Sequence, residues 1–249
     1  MTQSTKVLVL DLETKPALGY IWRLWDNNVG LNQLVEDDGV ICWAAKWAGE
    51  DWVYFDSVWM NTEEGMLQNI WQLLDEADVV VGWNSDRFDL AHLNAHFAKH
   101  GMGPPSSYKG LDLMKRVKNK MKFLSNKLDY VSQKLGVGRK LETGGFELWL
   151  DVMAGNKKAQ ALMREYNEHD VLLTEEVYEK LRPWLPQVVP PSHGMTCPEC
   201  GGTHLQSRGF AKTVTSSYKR FQCQDCGSWS RSVVAEKQER STMLRKESL

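Results

Sequence analysis

The first apolar run, VLVL at residues 7–10, ends in Asp11-Leu12-Glu13. Residues 6–10 read as a β-strand. Side chains alternate along a strand, so Asp11 and Glu13 share one face and Leu12 points to the opposite face, into the core. Residues 39–47 (GVICWAAKW) and 52–58 (WVYFDSV) read as two more strands, joined by the turn AGED. From residue 62 to 76 the apolar spacing becomes helical, with Thr62 as N-cap. DVVVG, 78–82, is a short strand ending near Asn84, and 87–100 is a helix broken by GMGPP at 101–105. Residues 112–136 read as largely helical with a dip around Phe123-Leu124-Ser125, and 157–181 as a long helix stopped by Pro183. Three strands, then alternating helix and strand, then helices predict an α/β sheet flanked by helices.

Composition adds boundaries to that pattern. With 249 residues, 42% hydrophobic and 25% charged, the chain suits one sizeable core plus a small module. No apolar run approaches the ~18 residues of a membrane span. The N-terminal MTQSTKVLVLDLET has only a four-residue apolar stretch and no signal-peptide pattern, so a cytoplasmic setting is expected. Net charge is −2, but residues 1–193 hold 21 Lys/Arg against 27 Asp/Glu and residues 194–249 hold 9 against 5. A basic C-terminal part is compatible with nucleic acid. The segment RPWLPQVVPPSHG, 182–194, holds four of the eight prolines and marks the domain boundary. It separates a domain over 1–182 from a module over 195–234 and a tail over 235–249, with 183–194 as linker.

Four of the five cysteines form two CxxC pairs, Cys197/Cys200 and Cys223/Cys226, while Cys42 lies in an apolar stretch and reads as core. Gly201 and Gly227 follow the pairs directly and allow tight turns. The 22 intervening residues are rich in β-formers and turn residues. In a reducing compartment such pairs are metal ligands rather than disulfides, and four thiolates suit one structural Zn²⁺. The module resembles a zinc ribbon. His193 and His204 are close in sequence but unnecessary to a four-cysteine shell.

Two like charges one residue apart repel unless a proton or cation lies between them. Two later stretches give the pair company. VVVGWNSDRFDLAHL, 79–93, runs from a buried strand through Asn84 to Phe88-Asp89 at a helix start. REYNEHDVLLTEEVY, 164–178, puts Tyr166 and Asp170 four apart on one helix face. These ordered motifs (DxE, N-xxx-FD, YxxxD) resemble the DEDD superfamily of 3′–5′ exonucleases, which has the ribonuclease H-like fold. The GWNSDRFD stretch and FLSNKLDYVSQKLGVGRK, 123–140, are most similar to the proofreading domains of family B DNA polymerases. The tyrosine subfamily is implied by Tyr166, since the histidine variant needs His where Glu165 stands. His169 then reads as a structural or surface histidine. The resemblance spans roughly residues 6–180 and implies an exonuclease domain over 1–182.

The resemblance also implies roles. Two Mg²⁺ or Mn²⁺ ions prefer carboxylate ligands and, about 4 Å apart, serve an in-line phosphoryl displacement. Asp11 would bridge both, Glu13 and Asp170 would complete the site of the ion that activates water, and Asp89 would hold the second ion, partly through water. Tyr166 would orient the attacking water. Phe88 reads as packing behind Asp89, Asn84 as a substrate contact or a turn anchor, and Asp112 as a helix N-cap with an outer-shell role as the alternative. From Lys109 to Lys140 there are ten Lys/Arg against two Asp, suiting phosphate contacts, with Lys115 and Arg116 as candidates. Tyr20, Trp22 and Trp25 follow the first acidic motif and could stack on unpaired bases.

The expected function is a metal-dependent 3′–5′ exonuclease trimming single-stranded DNA 3′ ends. The alternatives are an RNA 3′-end exoribonuclease and a non-catalytic nucleic-acid-binding adaptor built on the ribbon. The ribbon's Arg208, Lys212, Lys219, Arg220 and Arg231 suit nucleic acid, with protein docking as the rival use. The chain is too short to hold a polymerase domain as well. Proofreading in trans, beside a replication or recombination protein, or end-trimming in repair is therefore expected. Free-standing proteins of this kind look like those of tailed bacteriophages, acting in the host cytoplasm.

Overall fold

The computed structural model describes residues 5–25, 28–185, 195–198, 200–213 and 216–236. Most of the proline-rich linker and most of the tail, as well as His193, lie outside the described residues. The chain divides into two compact units, Met1–Lys180 and Leu181–Leu249.

The first unit is built on five strands: β1 (Val7–Lys15), β4 (Gly39–Trp47), β5 (Val53–Ser57), β6 (Val79–Gly82) and β7 (Lys109–Asp112). A small ribbon of β2 (Leu18–Gly19) and β3 (Leu34–Glu36) lies between β1 and β4 in sequence. The sheet order is β5-β4-β1-β6-β7. β4 is antiparallel to both β1 and β5, while β6 is parallel to β1 and to β7, so the sheet is mixed. The helices are α1 (Glu63–Glu76), α2 (Asp89–Lys99), α3 (Leu113–Lys120), α4 (Leu128–Leu135), α5 (Phe146–Met153) and α6 (Lys157–Leu181).

The strand period decides which helices cover which face. Leu8, Leu10 and Leu12 of β1 pack with Met66, Leu67 and Ile70 of α1 and with Leu93 and Phe97 of α2. On the other face Ile41 and Cys42 pack with Leu148 and Val152 of α5 and Met163 and Tyr166 of α6. The expected α/β sheet with flanking helices is thus the observed architecture. No helix among the described residues is long and apolar enough to cross a membrane.

Three elements differ from expectation. β1 does not stop at Leu10 but continues to Lys15, so Asp11 and Glu13 stand within the strand, paired opposite Ala44 and Cys42. Backbone pairing to β4 carries the strand on where side-chain hydrophobicity ends. The register shifts just after Glu13, with Thr14 opposite Val40, which leaves Ile41 as the extra residue of a bulge. The largely helical stretch expected over 112–136 is two helices, α3 and α4; the dip expected around Phe123-Leu124-Ser125 is present but widens to an open stretch over 121–127, and β7 precedes the helices. α5 has no counterpart in the sequence reading. Its eight residues, FELWLDVM, are apolar enough to pass for a strand or a helix, and tertiary packing decides.

Within the second unit β8 (Leu205–Lys212), β9 (Ser217–Cys223) and β10 (Trp229–Arg231) form an antiparallel sheet in the order β10-β9-β8.

Candidate functional site

The face of β1 that points toward α6 carries Asp11 and Glu13. α6 answers with a buried stripe that includes Met163, Tyr166, Asn167, Asp170, Thr174 and Val177. Asp11, Glu13 and Asp170 each bring a carboxylate oxygen within 4.8 Å of the others. Asn167, fully buried, donates from Nδ2 to Asp11 Oδ2 at 2.7 Å. Asp89, the first residue of α2, is buried and accepts hydrogen bonds from its own N–H and from the Leu12 N–H, which ties α2 to the middle of the acidic motif. Asp89 stands outside the three-carboxylate group but raises the proton affinity of both Asp11 and Glu13 by its charge.

The electrostatics are those of an anion cluster short of cations. Loss of hydration, followed by the charges of Asp170, Asp89 and Glu13, holds the Asp11 carboxyl far above the ordinary range. Burial pushes Glu13 up to about 8, against the pull of Lys140, and pushes Asp89 up to about 7. Asp170 is also raised by burial despite Lys140 and Tyr166. Its Oδ2 meets Lys140 Nζ at 2.6 Å, while its Oδ1 is buried with no hydrogen-bond partner among the described residues. An orphaned buried carboxylate oxygen is costly and is the kind of ligand a hard divalent cation satisfies. Four carboxylates against one ammonium leave charge for such ions to neutralise, so these residues fit Mg²⁺ or Mn²⁺.

Lys140, which the sequence groups with a phosphate-binding stretch, and Asn167, which the sequence reading left unassigned, are members of the cluster. Lys140 also lies over the Tyr166 ring, 4.8 Å from its centroid. Its backbone N–H donates to Asp129 Oδ1 at 2.8 Å, and the preceding carbonyl of Arg139 is bonded by His169 Nε2 at 2.8 Å. His169 is therefore structural, one of the two readings the sequence allowed, and what it fixes is the loop that delivers Lys140. Asn167, three residues before Asp170, shares the face that carries Tyr166 and Asp170, a helical spacing that could have flagged it. Tyr166 keeps its proton, since burial and Asp170 both raise the phenol.

The remaining candidates lie elsewhere. Asn84 has φ 67°, in the left-handed region that asparagine tolerates, and its N–H donates to Asp112 Oδ1 at 3.1 Å. Its carbonyl accepts from the N–H groups of Arg87 and Phe88, so its backbone anchors the turn into α2. Asp112 also caps α3 through the Lys115 N–H. Phe88 does not pack behind Asp89: it is half-exposed and stacks edge-on against His92, one helical turn along, with centroids 4.7 Å apart. Trp22 and Trp25 are 96% and 81% exposed, and Tyr20 is exposed beside them. Lys115 is exposed on α3 and pairs with Asp86 at 3.5 Å, whereas Arg116 is half-buried.

In the second unit Cys197, Cys200, Cys223 and Cys226 bring all four Sγ atoms within 4.8 Å of one another. Cys197–Cys226 and Cys200–Cys223 are 3.7 and 3.6 Å apart, too long for disulfides. A Zn²⁺ with Zn–S bonds near 2.3 Å has tetrahedral edges of about 3.7 Å, so the cluster fits zinc. The two CxxC turns are matched: the N–H of Gly201 donates to Cys197 O and that of Gly227 to Cys223 O, both glycines at positive φ. His204 pairs with Asp225 instead of joining the cluster. Arg220 covers the Trp229 ring and Arg231 the Tyr218 ring.

Comparison with known proteins agrees with this architecture. No curated protein matches the chain. Among solved structures it is similar to a family B DNA polymerase from the hyperthermophilic archaeon Pyrobaculum calidifontis, with a TM-score of 0.54 at 20% identity. That match covers 73% of this chain and 25% of the polymerase, a likeness of fold over about a quarter of the larger protein. Residues 42–182, from the middle of β4 to the end of α6, match the RNase_H_2 family model. With more than half its length in that match, this protein belongs to the RNase_H superfamily.

Proposed function

We propose that the chain is a nuclease, a metal-dependent 3′–5′ exonuclease of the tyrosine DEDD type, acting on single-stranded 3′ ends of DNA. The observation that carries this reading is the convergence of Asp11, Glu13 and Asp170, with one Asp170 oxygen buried and unpartnered. The four family acids and the family tyrosine all face or adjoin that point. Similarity to a family B DNA polymerase supports a polynucleotide substrate.

Asp11, Glu13, Asp89 and Asp170 would hold two Mg²⁺ or Mn²⁺ ions, which supply Lewis acidity to the attacking water and the leaving oxygen. Tyr166, kept neutral by burial, offers a hydroxyl that orients the water by hydrogen bonding rather than removing its proton. Asn167 fixes the Asp11 carboxylate in the manner of an outer-shell ligand partner. Exposed Trp22 and Trp25 provide stacking faces for unpaired bases, and Lys115 and Arg116 provide phosphate contacts. Zn²⁺ on the four cysteines would hold the small sheet together, and the sheet's paired cations and aromatics suit a nucleic-acid strand. A phage-type trimming or proofreading activity beside replication or recombination proteins fits this design.

Purified protein with Mg²⁺ or Mn²⁺ should shorten DNA labelled at its 5′ end one nucleotide at a time. Asp11→Ala should fold normally and lose more than about 100-fold of that activity, beyond the usual cost of an outer-shell partner. RNA shortened in place of DNA would select the exoribonuclease alternative. Binding without cleavage under either ion would select the adaptor.

A further inference from the structure

α2 and its C-cap carry three of the six histidines at four-residue intervals, His92, His96 and His100, and none of them belongs to the acidic cluster. Residues four apart share a helix face. His92 Nδ1 faces Asp38 Oδ2 at 3.6 Å. The other two converge on Glu63, the first residue of α1: His96 Nδ1 lies 3.1 Å and His100 Nε2 3.3 Å from the same oxygen, Oε1. All three ligand atoms lie within 4.8 Å of one another.

Hydrogen bonding alone leaves this group incomplete. His96 makes an acceptable bond to Glu63, but His100 Nε2 is sheltered from solvent and has no hydrogen bond of good geometry among the described residues. Spacings of 3.1 and 3.3 Å are close to the edge of a tetrahedron with bonds of 2.0–2.1 Å, about 3.3 Å, which is the size of a zinc shell of nitrogen and oxygen ligands. The surroundings favour a cation as well. Glu63 lines a cleft of roughly 520 Å³ with Glu36, Asp37 and Asp38 against Lys15 and Lys99. Lys15 is already paired with Glu36. His96 and His100 stand at the C-terminal end of α2, where the helix dipole is negative.

The geometry points to a second transition-metal site, in which Glu63, His96 and His100 hold one Zn²⁺ and the fourth position opens to the cleft. Imidazole ligands select zinc-like ions over Mg²⁺, so this site and the all-oxygen acidic cluster draw on different metals. The two lie at opposite ends of α2: seven and eleven residues past Asp89, the histidines are about 10 to 16 Å further along the helix axis. Bound zinc would clamp the start of α1 to the end of α2, the two helices that cover one face of the sheet.

The test uses the full wild-type chain, followed by long-range ¹H–¹⁵N spectra of its histidine rings during Zn²⁺ addition. Zinc should shift the ¹⁵N resonances of His96 Nδ1 and His100 Nε2 to the metal-bound range while leaving those of His169 in place, and Mg²⁺ should move none of them. His96→Asn and His100→Gln should each lower bound zinc by one equivalent relative to wild type, or weaken that equivalent at least tenfold. Ring ¹⁵N resonances of His96 and His100 that do not move in saturating zinc, or an unchanged zinc count in folded variants, would overturn the site. If the variants do not fold, the wild-type spectra decide alone.

Discussion

The ammonium of Lys140 lies 2.6 Å from Asp170 Oδ2, and Asp170 is only 1% exposed. A cation has thus been carried against the acidic cluster by a loop that Asp129 and His169 hold from either side. The same ammonium covers the Tyr166 ring, so one side chain touches both residues of the third acidic motif.

Removing that charge should shift the pH response more than the fold. Lys140 lowers the proton affinity of Glu13 and Asp170, so Lys140→Met should leave both more protonated near neutrality. Nuclease activity should fall at pH 7 by about tenfold, one pH unit of lost ionisation, and recover toward higher pH. A pH–rate profile comparing variant and wild type checks this, and parallel profiles would remove Lys140 from any electrostatic role.

The raised carboxyls also make metal-free stability depend on pH. Glu13, at about 8, and Asp89, at about 7, keep protons that an unfolded chain releases near pH 4. The native state therefore binds more protons than the unfolded state between those limits. Their contribution is fully present below about pH 4 and is lost as pH rises through 7 to 8. Thermal melts with chelator should show Tm falling from pH 6 to pH 9, and Mn²⁺ should flatten the slope. Mn²⁺ affinity should rise over the same interval, because binding displaces protons.

Asn167 should act through Asp11 alone. Asn167→Ala should lower Mn²⁺ affinity and kcat by about 10- to 100-fold, the usual cost of losing an outer-shell partner. Asn167→Asp should be worse, because it adds a fifth acid to the cluster, and it should lower the metal-free Tm below that of the alanine variant. Metal titration by calorimetry and a thermal melt separate the two effects.

The cysteine cluster should be independent of the acids. Cys223→Ser should release one zinc per chain and unfold the small sheet, with metal binding by the acidic cluster retained. Zinc counting together with a Mn²⁺ titration of the same sample checks it, and an unchanged zinc content would refute the four-cysteine ligand set.

What could be read from the sequence depended on local periodicity. β4 runs over Gly39–Trp47, as its apolar run suggests, and Thr62 caps α1 by accepting from the Gly65 N–H at 3.1 Å. Both signals lie within a few residues of the structure they produce. The glycine after each CxxC is of the same kind: the turn needs positive φ, and the sequence places glycine there. Asp112 as the cap of α3 and Leu12 as core likewise follow from their immediate neighbours.

Tertiary structure decided whatever joins distant segments. β7 is four residues, KGLD, and becomes a strand only because β6 offers it a parallel edge. The bulge at Ile41, the approach of Asn167 to Asp11 across 156 positions and the meeting of Glu63 with the His96–His100 pair join separate segments, and a period within one segment does not say which other it meets. Lys140 is the clearest case. In the sequence it is the last of ten basic residues in a stretch that looks like a phosphate-binding surface. In the fold, packing of the loop against α4 and α6 turns it inward. The sequence alone determined which side chains carry charge and where the chain alternates, whereas folding decided which of those charges share a low-dielectric space, where burial and neighbouring charge raise their proton affinities.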